Sequence, residues 1–352
     1  MMIKYLHYPI FFVIVLVLFM GSSGCFKEIV EVRESLPNII WPKPPADPRI
    51  RFINSVSKAA DLNIEQEKFS KFLRFLKGEK EKFIVHPYGL ATDSEGRLYV
   101  VDTLKRHIHV FDDKRNEYYI FPERGTSLIS PIDVAVSQKG YVFVTDSTDA
   151  VVKIFKDHGR EYIKKIGAGL FERPTGIAVN NQTGELLVVD TKNSQIMRFD
   201  VESYRFKGAI GGEGNAQGSF YNPTNIFVSG NGTIYVSDAL NFRIQIFTPE
   251  GEFIRDFGDV GDGPGYLARP RGVAVDSEGN IYVVDALFDN VQIFNRSGQL
   301  LMAFGSPGNE YGEFWLPSGI YIDNNDRVYV ADSYNNRVQI FQYIKTADLI
   351  NP

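Results

Sequence analysis

A segment of about 45 residues recurs six times in this chain and constrains its fold more than any other feature. Each copy places a proline before a short apolar run, as in Arg-Pro-Thr-Gly-Ile-Ala-Val from Arg173 and Leu-Pro-Ser-Gly-Ile-Tyr-Ile from Leu316. A repeat of this length built from short strands is typical of a β-propeller blade. The prolines are spaced 44, 43, 49, 47 and 47 residues apart: Pro87, Pro131, Pro174, Pro223, Pro270 and Pro317.

The residues within one repeat predict four strands. In the fifth copy, the apolar run 272–275 precedes a turn at 276–280, whose glycine can adopt a positive φ. The next segment, 281–285, is rich in β-branched and aromatic residues, and strand-like segments follow at 291–294 and 300–304. The sequence therefore predicts an all-β, six-bladed β-propeller.

The two ends of the propeller are predicted to meet in one blade. The last repeat stops near residue 342, after its third strand, while residues 49–57 resemble the fourth strand at 253–257. We predict that residues 49–57 close the sixth blade, because this removes an open sheet edge. The propeller is thus expected over residues 49–346, followed by a tail at 347–352.

One segment before the first repeat has helical periodicity. Residues 63–77 predict a short amphipathic helix, with Asn63 as N-cap and Gly78 after its end. Phe69 and Leu76 are among the apolar side chains expected on one face. We expect this face to pack against the ring rather than to dock a partner.

The N-terminus indicates export. Residues 9–20 are uncharged but too few to cross a hydrocarbon core of about 30 Å as a helix, so residues 1–24 predict a signal peptide. Small residues then lead to Cys25, the only cysteine in the sequence. This resembles a bacterial lipoprotein signal and implies that Cys25 is lipidated; an ordinary signal peptide with an incidental cysteine is the alternative. Phe26 stands where an aspartate would favour inner-membrane retention, so we expect the outer membrane.

A spacer is predicted between this anchor and the propeller. Residues 26–48 contain five prolines, and proline-rich sequence is extended and semi-rigid. Residues 25–48 are therefore expected to be a lipidated N-terminus and a spacer that tether the propeller in the cell envelope.

The repeat motifs over residues 86–342 resemble those of the NHL-repeat family. Shared features are Pro-x-Gly, a second strand that ends in Val-x-Asp, an Asp-x-x-Asn-x-Arg loop, and Phe-Gly before a glycine-rich loop. The Trp-Pro-x-Pro-Pro stretch from Trp41 is similar to the lead-in of bacterial lipoproteins that carry NHL repeats. The resemblance implies a six-bladed propeller with both kinds of loop on one face.

Charge and cysteine content narrow the expected partners. Without the leader, 37 basic and 43 acidic residues give a net charge of −6, which does not attract the phosphate backbone of nucleic acid. Some NHL propellers bind RNA, but export argues against that partner here. One thiol forms no intramolecular disulfide, so the core must hold the fold; we expect a monomeric propeller.

Enzymes among NHL-like propellers suggest two kinds of metal site. The amidating lyases hold zinc with several histidines, but the histidines after the leader lie in the first two repeats. Because a catalytic zinc needs about three protein ligands, we expect no zinc and no resident cofactor. Lactonase-like propellers use oxygen ligands, and Asp133 and Asn225 replace the Pro-x-Gly glycine in two repeats. These two are the candidate ligands for Ca²⁺ or a similar ion, unless each bonds a neighbouring backbone group.

An aspartate ends the second strand of every repeat. Because all copies keep it, we interpret it as a structural acceptor of turn hydrogen bonds, and as a partner of Arg243 and Arg337 where those are present. The six are Asp102, Asp146, Asp190, Asp238, Asp285 and Asp332.

The glycine-rich loops carry a large apolar residue at one equivalent position, and we expect this residue to lie in the core. The residues at this position are Phe171, Phe220, Leu267 and Phe314.

The loops that follow these aspartates differ from one another, as a specific binding surface requires. Arginines near the axis could form a basic mouth for an anionic group, and exposed aromatic residues could serve a protein interface. The candidate contacts are His86, Lys105, Arg106, Arg173, Arg269, Arg271, Phe288 and Trp315.

The sequence favours a binding scaffold over an enzyme. The expected role is to present the loop face, from a lipid anchor, to a protein or glycan of the cell envelope. The alternative is a divalent-metal-dependent hydrolase or lyase at the mouth of the central channel, with Asp133 and Asn225 as ligands.

Overall fold

The structure is a computed structural model that describes residues 36–64 and 82–345. Within these residues the regular elements are 25 β-strands and four 3-10 helices, and the strands form six sheets. The predicted all-β, six-bladed propeller is confirmed. The 3-10 helices are Ala59–Leu62, Asp157–Gly159, Ala239–Asn241 and Ser333–Asn335.

Blades 1 to 5 are four-stranded antiparallel sheets whose strands follow one another in sequence. Blade 1 contains β3 (Pro87–Thr92), β4 (Leu98–Asp102), β5 (His107–Asp112) and β6 (Glu117–Phe121). Blade 2 contains β7 (Pro131–Val136), β8 (Val142–Asp146), β9 (Val151–Lys156) and β10 (Glu161–Ile166). Blade 3 contains β11 (Pro174–Asn180), β12 (Glu185–Asp190), β13 (Gln195–Asp200) and β14 (Phe206–Gly211). Blade 4 contains β15 (Pro223–Val228), β16 (Ile234–Asp238), β17 (Arg243–Phe247) and β18 (Phe253–Phe257). Blade 5 contains β19 (Pro270–Val275), β20 (Ile281–Asp285), β21 (Asn290–Phe294) and β22 (Leu300–Phe304).

Blade 6 is built from both ends of the described chain. It contains β23 (Ile320–Ile322), β24 (Arg327–Asp332) and β25 (Arg337–Tyr343), followed by β2 (Ile50–Val56) and β1 (Ile40–Trp41). β2 runs antiparallel to β25, with Phe52 opposite Phe341 and Val56 opposite Val338. The closure predicted for residues 49–57 is therefore confirmed.

The buried core lies between the blades. The first strands of the blades contact one another in the cyclic order β3, β7, β11, β15, β19, β23 and back to β3. Six clusters of buried apolar residues each join two adjacent blades. One example packs Tyr99 and Val101 of blade 1 against Val144 and Phe155 of blade 2. Each sheet is thus covered on both faces, which explains why the second and third strands are apolar almost throughout.

Part of the predicted spacer belongs to the propeller. The side chain of Trp41 lies 5.8 Å, between ring centroids, from both Phe304 and Phe341. β1 therefore adds a fifth strand to blade 6, and the packed body begins before residue 49, where the sequence placed its start. The physical reason is that the indole buries apolar surface that an exposed spacer would leave in water.

Some sequence predictions fall outside the described residues. These are the signal peptide at 1–24, Cys25, the tail at 347–352, and the helix at 63–77 apart from its first two residues. Of those two, Asn63 follows the first 3-10 helix in a left-handed conformation, with φ of 59°, and so ends that helix. No helix in residues 36–64 and 82–345 is long and apolar enough to span a membrane.

The closing strand offers a direct test of how the ring is held. Phe52 is 4% exposed and packs against Phe341, whereas its neighbour Ile53 is 38% exposed. We expect Phe52→Ala to lower the free energy of unfolding by about 3–5 kcal/mol, because it leaves a cavity at the seam. The matched control Ile53→Ala should cost less than about 1 kcal/mol. Chemical denaturation followed by tryptophan fluorescence measures both, and equal costs would contradict the closure.

Candidate functional site

The two faces of the ring carry different kinds of connection. We call loop face the side that carries the loops between second and third strands and the links from each blade to the next. We call turn face the opposite side, which carries the turns between first and second strands. Antiparallel strands reverse direction at each connection, so these two sets of connections lie at opposite ends of the blades.

The strand-ending aspartates form one repeated contact beneath the loop face, which we call the aspartate ring. Each carboxylate is fully buried and accepts a hydrogen bond from the backbone N–H two residues before the proline of its own blade. The donors are Val85 (2.7 Å), Ile129 (2.8 Å), Glu172 (2.8 Å), Tyr221 (2.7 Å), Ala268 (2.7 Å) and Trp315 (2.8 Å). The structural role predicted for these aspartates is confirmed.

Arginine and glutamine side chains extend this contact in blades 4 and 6. Arg243 Nε donates to Asp238 at 2.9 Å, and Arg337 Nε donates to Asp332 at 2.7 Å, as predicted. Gln339, two residues after Arg337, donates to the same aspartate at 3.0 Å and to the Glu313 carbonyl at 2.6 Å. These donors tie the glycine-rich loop to its blade.

The central channel is wide at the turn face and narrow near the loop face. A cavity of about 730 Å³ opens between the turns, lined by residues such as Asp93, Gln138 and Asn231. Near the loop face the free space is only about 10 Å³, between Tyr88, Gly89 and neighbouring residues. The channel mouth in which the sequence placed a candidate site is therefore a constriction.

Asp133 and Asn225 lie where the wide cavity meets the constriction, since they line both, and each bonds to the next blade. Asp133 Oδ2 accepts the backbone N–H of Ile177 at 3.1 Å, and Oδ1 accepts that of Val134 at 2.9 Å. Asn225 Oδ1 accepts the N–H of Val273 at 3.1 Å. These contacts match the structural alternative that the sequence left open for both residues.

Glycine at this position in the other blades reflects the close approach of neighbouring first strands. A Cβ added to Gly319 would meet the carbonyl oxygen of Tyr88 at 2.1 Å, far inside van der Waals contact. A side chain fits only where it can reach across and bond the next strand, as in blades 2 and 4.

The candidate residues of the predicted basic mouth differ in burial and in partners. Arg271 donates to the hydroxyl of Tyr88 at 2.6 Å and lies over its ring. His86 is half-buried, its Nδ1 lies 2.9 Å from Thr103 Oγ1, and burial lowers its pKa. Three cationic candidates, Arg106, Arg173 and Arg269, are exposed. Of the remaining candidates, Lys105 and Trp315 are exposed and Phe288 is half-buried.

Exposed apolar residues recur at equivalent places on the loop face of four consecutive blades, and the sequence did not single them out as a group. They occupy mainly the second position after each ring aspartate, where blades 2 and 3 instead carry Thr148 and Lys192. We call this group the apolar arc: Leu240 of blade 4 (46% exposed), Leu287 of blade 5 (62%), Trp315 (53%) and Tyr334 (50%) of blade 6, and Leu104 of blade 1 (65%).

Aromatic contacts connect the two arc residues of blade 6 with each other and with His86, which precedes the first strand of blade 1. The ring centroids of Trp315 and Tyr334 are 5.6 Å apart, and those of Tyr334 and His86 are 5.4 Å apart. Only Trp315 and His86 were candidates from sequence. The signal for the others was the apolar residue two positions after the aspartate, which becomes visible once the repeats are aligned.

Blade 1 brings together a group that the sequence also missed, which we call the histidine cluster: Asp102, His107 and His109. The Nε2 atoms of the two histidines are 3.1 Å apart, and His109 Nε2 is 3.5 Å from Asp102 Oδ2. Burial lowers the pKa of His107 to about 4. Burial alone would raise the pKa of Asp102, but hydrogen bonds from His109 and backbone N–H groups lower it to about 2.

Comparisons with known proteins agree with the fold. The NHL repeat family matches residues 314–341, and a family described as 6-bladed beta-propeller matches residues 124–211 and 217–289. These matches fall on the same repeats that form blades 2 to 6. The chain is an NHL-repeat six-bladed β-propeller.

Curated relatives share only part of this propeller. A segment of 92 residues, 26% of the chain, is 38% identical to Protein brain tumor of Drosophila melanogaster and covers 9% of that protein. Another, of 96 residues and again 26% of the chain, is 32% identical to a probable peptidyl-alpha-hydroxyglycine alpha-amidating lyase of Caenorhabditis elegans and covers 27% of it. The chain thus spans about a quarter or less of these relatives' length.

Solved structures with the same fold include binding proteins and lyases. An auxiliary nutrient binding protein from Bacteroides thetaiotaomicron has a TM-score of 0.56 at 14% identity, over 74% of this chain and 69% of its own. A streptogramin B lyase has a TM-score of 0.55 at 13% identity, over 74% and 94% respectively. At such identities the likeness shows the propeller fold alone.

The buried carboxyl group of Asp133, at the constriction, makes the stability of the propeller depend on pH. Burial raises the pKa of Asp133 to about 7 from a usual 3.8, so the folded state holds a proton that the unfolded chain releases between these values. The contribution of Asp133 to stability therefore falls as pH rises from about 4 to about 7, by on the order of 4 kcal/mol, and is constant above that.

The variant Asp133→Asn tests this linkage. Asparagine fits, because Asn225 makes the corresponding bond to the next blade, and it does not titrate. We expect urea unfolding at pH 5 and pH 8 to show a loss of stability in the wild type that the variant lacks. The same pH dependence in both proteins would contradict a raised pKa at Asp133.

Proposed function

We propose that this NHL-repeat propeller is an envelope-anchored binding scaffold whose apolar arc receives a protein partner. The observation that carries the proposal is the recurrence of exposed large apolar side chains on the loop face of four neighbouring blades. Single exposed apolar residues are normal on a protein surface, whereas a group of them on one face supports an interaction site. Aromatic and large apolar residues are those enriched at the buried centres of protein interfaces.

The aspartate ring supports this role by holding the arc rigidly. The backbone N–H of Trp315 donates to the buried Asp332, and Leu287 N–H donates to Asp285 at 3.0 Å. Binding to a preorganised surface costs less conformational entropy than binding to a mobile loop. Exposed cations at neighbouring positions, Lys105, Arg106 and Arg269, would favour a partner with acidic groups around an apolar centre.

The leucines of the apolar arc favour a protein over a glycan as the partner in this proposal. Leu104, Leu240 and Leu287 offer only apolar contact, which suits apolar side chains of another protein. Sugar rings carry hydroxyl groups that need hydrogen-bond partners, and burying them against leucine leaves those groups unpaired. We therefore commit to a protein and keep a glycan as an outcome of the test.

The metal-dependent hydrolase or lyase remains a less favoured candidate. Its supposed ligands, Asp133 and Asn225, direct side-chain oxygens at backbone N–H groups of the next blade. The fold likeness to a streptogramin B lyase adds no argument about chemistry at 13% identity.

Photo-crosslinking in cells that produce the full chain tests the binding surface. A photoreactive residue at Tyr334 should give one discrete product with an added polypeptide. The same residue at Ile254, which is 49% exposed on β18, should give none. A crosslinked polysaccharide would show that the partner is a glycan and not a protein. Products of equal yield from both sites would contradict the proposal.

Two exposed leucines in blade 5, one in the arc and one outside it, provide a test variant and a matched control. Leu287 of the arc is 62% exposed and Leu301 of β22 is 53% exposed. Leu287→Asp should lower the crosslink yield from Tyr334 at least about tenfold, because it places a charge in the apolar interface. Leu301→Asp should leave the yield unchanged. Equal effects of the two variants would locate the interface elsewhere.

The envelope anchor is a separate part of the proposal. Cys25 is the only cysteine, so Cys25→Ala should abolish incorporation of labelled fatty acid and move the chain from the membrane fraction to the soluble fraction. Ser23→Ala, which keeps a small residue before the cysteine, should retain the label. Density-gradient separation of the membranes should place the wild type in the outer membrane. Label retained by Cys25→Ala would contradict a lipid anchor.

A further inference from the structure

Three potential metal ligands converge on one side of blade 1. Asp102 ends β4 and pairs directly with His107 at the start of β5. His109 lies two residues further along β5, so its side chain is on the same face of the sheet as that of His107. The ligand atoms of the histidine cluster all lie within 4.8 Å of one another.

The spacing of these atoms fits a tetrahedral ion. Zinc binds histidine nitrogen and carboxylate oxygen at about 2.0–2.2 Å, which places neighbouring ligand atoms roughly 3.3–3.5 Å apart. The observed separations are 3.1 Å between His107 Nε2 and His109 Nε2, and 3.5 Å between His109 Nε2 and Asp102 Oδ2. The remaining pair, His107 and Asp102, lies within the 4.8 Å that bounds the whole cluster, so an ion shared by all three residues requires the side chains to close in on it.

A hydrogen bond orients one of the two imidazoles for coordination. His109 is 1% exposed, and its Nδ1 lies 2.8 Å from the hydroxyl of Tyr118. A histidine that binds a metal through Nε2 commonly donates its Nδ1–H to such an oxygen, which fixes the ring and its tautomer. Tyr118 is therefore placed to support the ligand.

The other blades show that a purely structural role does not require two histidines. At the same two positions blade 4 has Arg243 and Gln245, and blade 6 has Arg337 and Gln339. All four side chains donate hydrogen bonds to their ring aspartate. Arginine has no acceptor and neither residue is a zinc ligand, whereas two imidazoles beside a carboxylate are a common zinc set.

We propose that Asp102, His107 and His109 bind a divalent ion of the zinc class in blade 1. The three protein ligands leave a fourth position open. The site lies at the loop face, because Asp102 ends β4 and His107 begins β5, and the side chain of His107 is partly exposed there. The site is independent of the proposed protein-binding function. It lies outside the channel mouth, where the sequence placed a candidate metal site, and it departs from the expectation of no zinc, because Asp102 supplies the third ligand that the histidines alone did not.

Zinc titration of the full, metal-stripped chain in detergent tests the site. We expect one equivalent of Zn²⁺ per chain by calorimetry, and a Co²⁺ spectrum with the strong visible bands of a tetrahedral site. The double variant His107→Arg with His109→Gln copies blades 4 and 6, so it should keep the fold. It should weaken zinc binding at least about 100-fold and remove the Co²⁺ bands.

Two further variants separate a specific site from adventitious binding. Tyr118→Phe should weaken zinc binding by roughly tenfold, because it removes the group that orients His109. His158→Ala, at a histidine in a turn of blade 2, should leave binding unchanged. The proposal is overturned if the wild type takes up no zinc, or if the folded double variant binds zinc as tightly as the wild type.

Discussion

The whole ring depends on one repeated contact, the hydrogen bond from a backbone N–H before each proline to a buried aspartate. Leaving such a carboxylate unpaired away from water would cost several kcal/mol, so the link between blades must pass close to each aspartate. The link is thereby brought to the end of the second strand, and in blades 1 to 5 the proline then begins the first strand of the same blade. A contact that is identical in six blades produces a regular scaffold without itself providing specificity.

Specificity arises where the blades differ around this constant contact. The residue two positions after the aspartate is leucine or tyrosine in blades 4, 5, 6 and 1, and threonine or lysine in blades 2 and 3. The residues that accompany the aspartate are arginine and glutamine in blades 4 and 6, but two histidines in blade 1. The aspartate contact thus carries a structural task shared by all blades, and the residues around it, to which we assign the proposed binding roles, differ from blade to blade.

Closure of the ring by the N-terminal strands belongs to the structural task. β2 pairs with β25 and Trp41 packs over the seam against Phe304 and Phe341. A ring of six blades has no free sheet edge at the seam once both ends share one sheet. The inter-blade clusters can then hold every first strand at the axis, which narrows the channel to the constriction at Gly89 and Asp133.

The sequence by itself determined the propeller, its six blades, the closing strand and the structural role of the aspartates, because each copy repeats the same short apolar strands, turns and strand-ending aspartate, and the last copy lacks its fourth strand. It also placed Asp133 and Asn225 at one equivalent position, but not the backbone groups they bond. The apolar arc, the narrow channel mouth and the histidine cluster were decided only by tertiary structure. Blade 6 meets blade 1 only when the ring closes, and Asp102 meets His109 only through the register of β4 against β5, so a linear sequence shows neither distance.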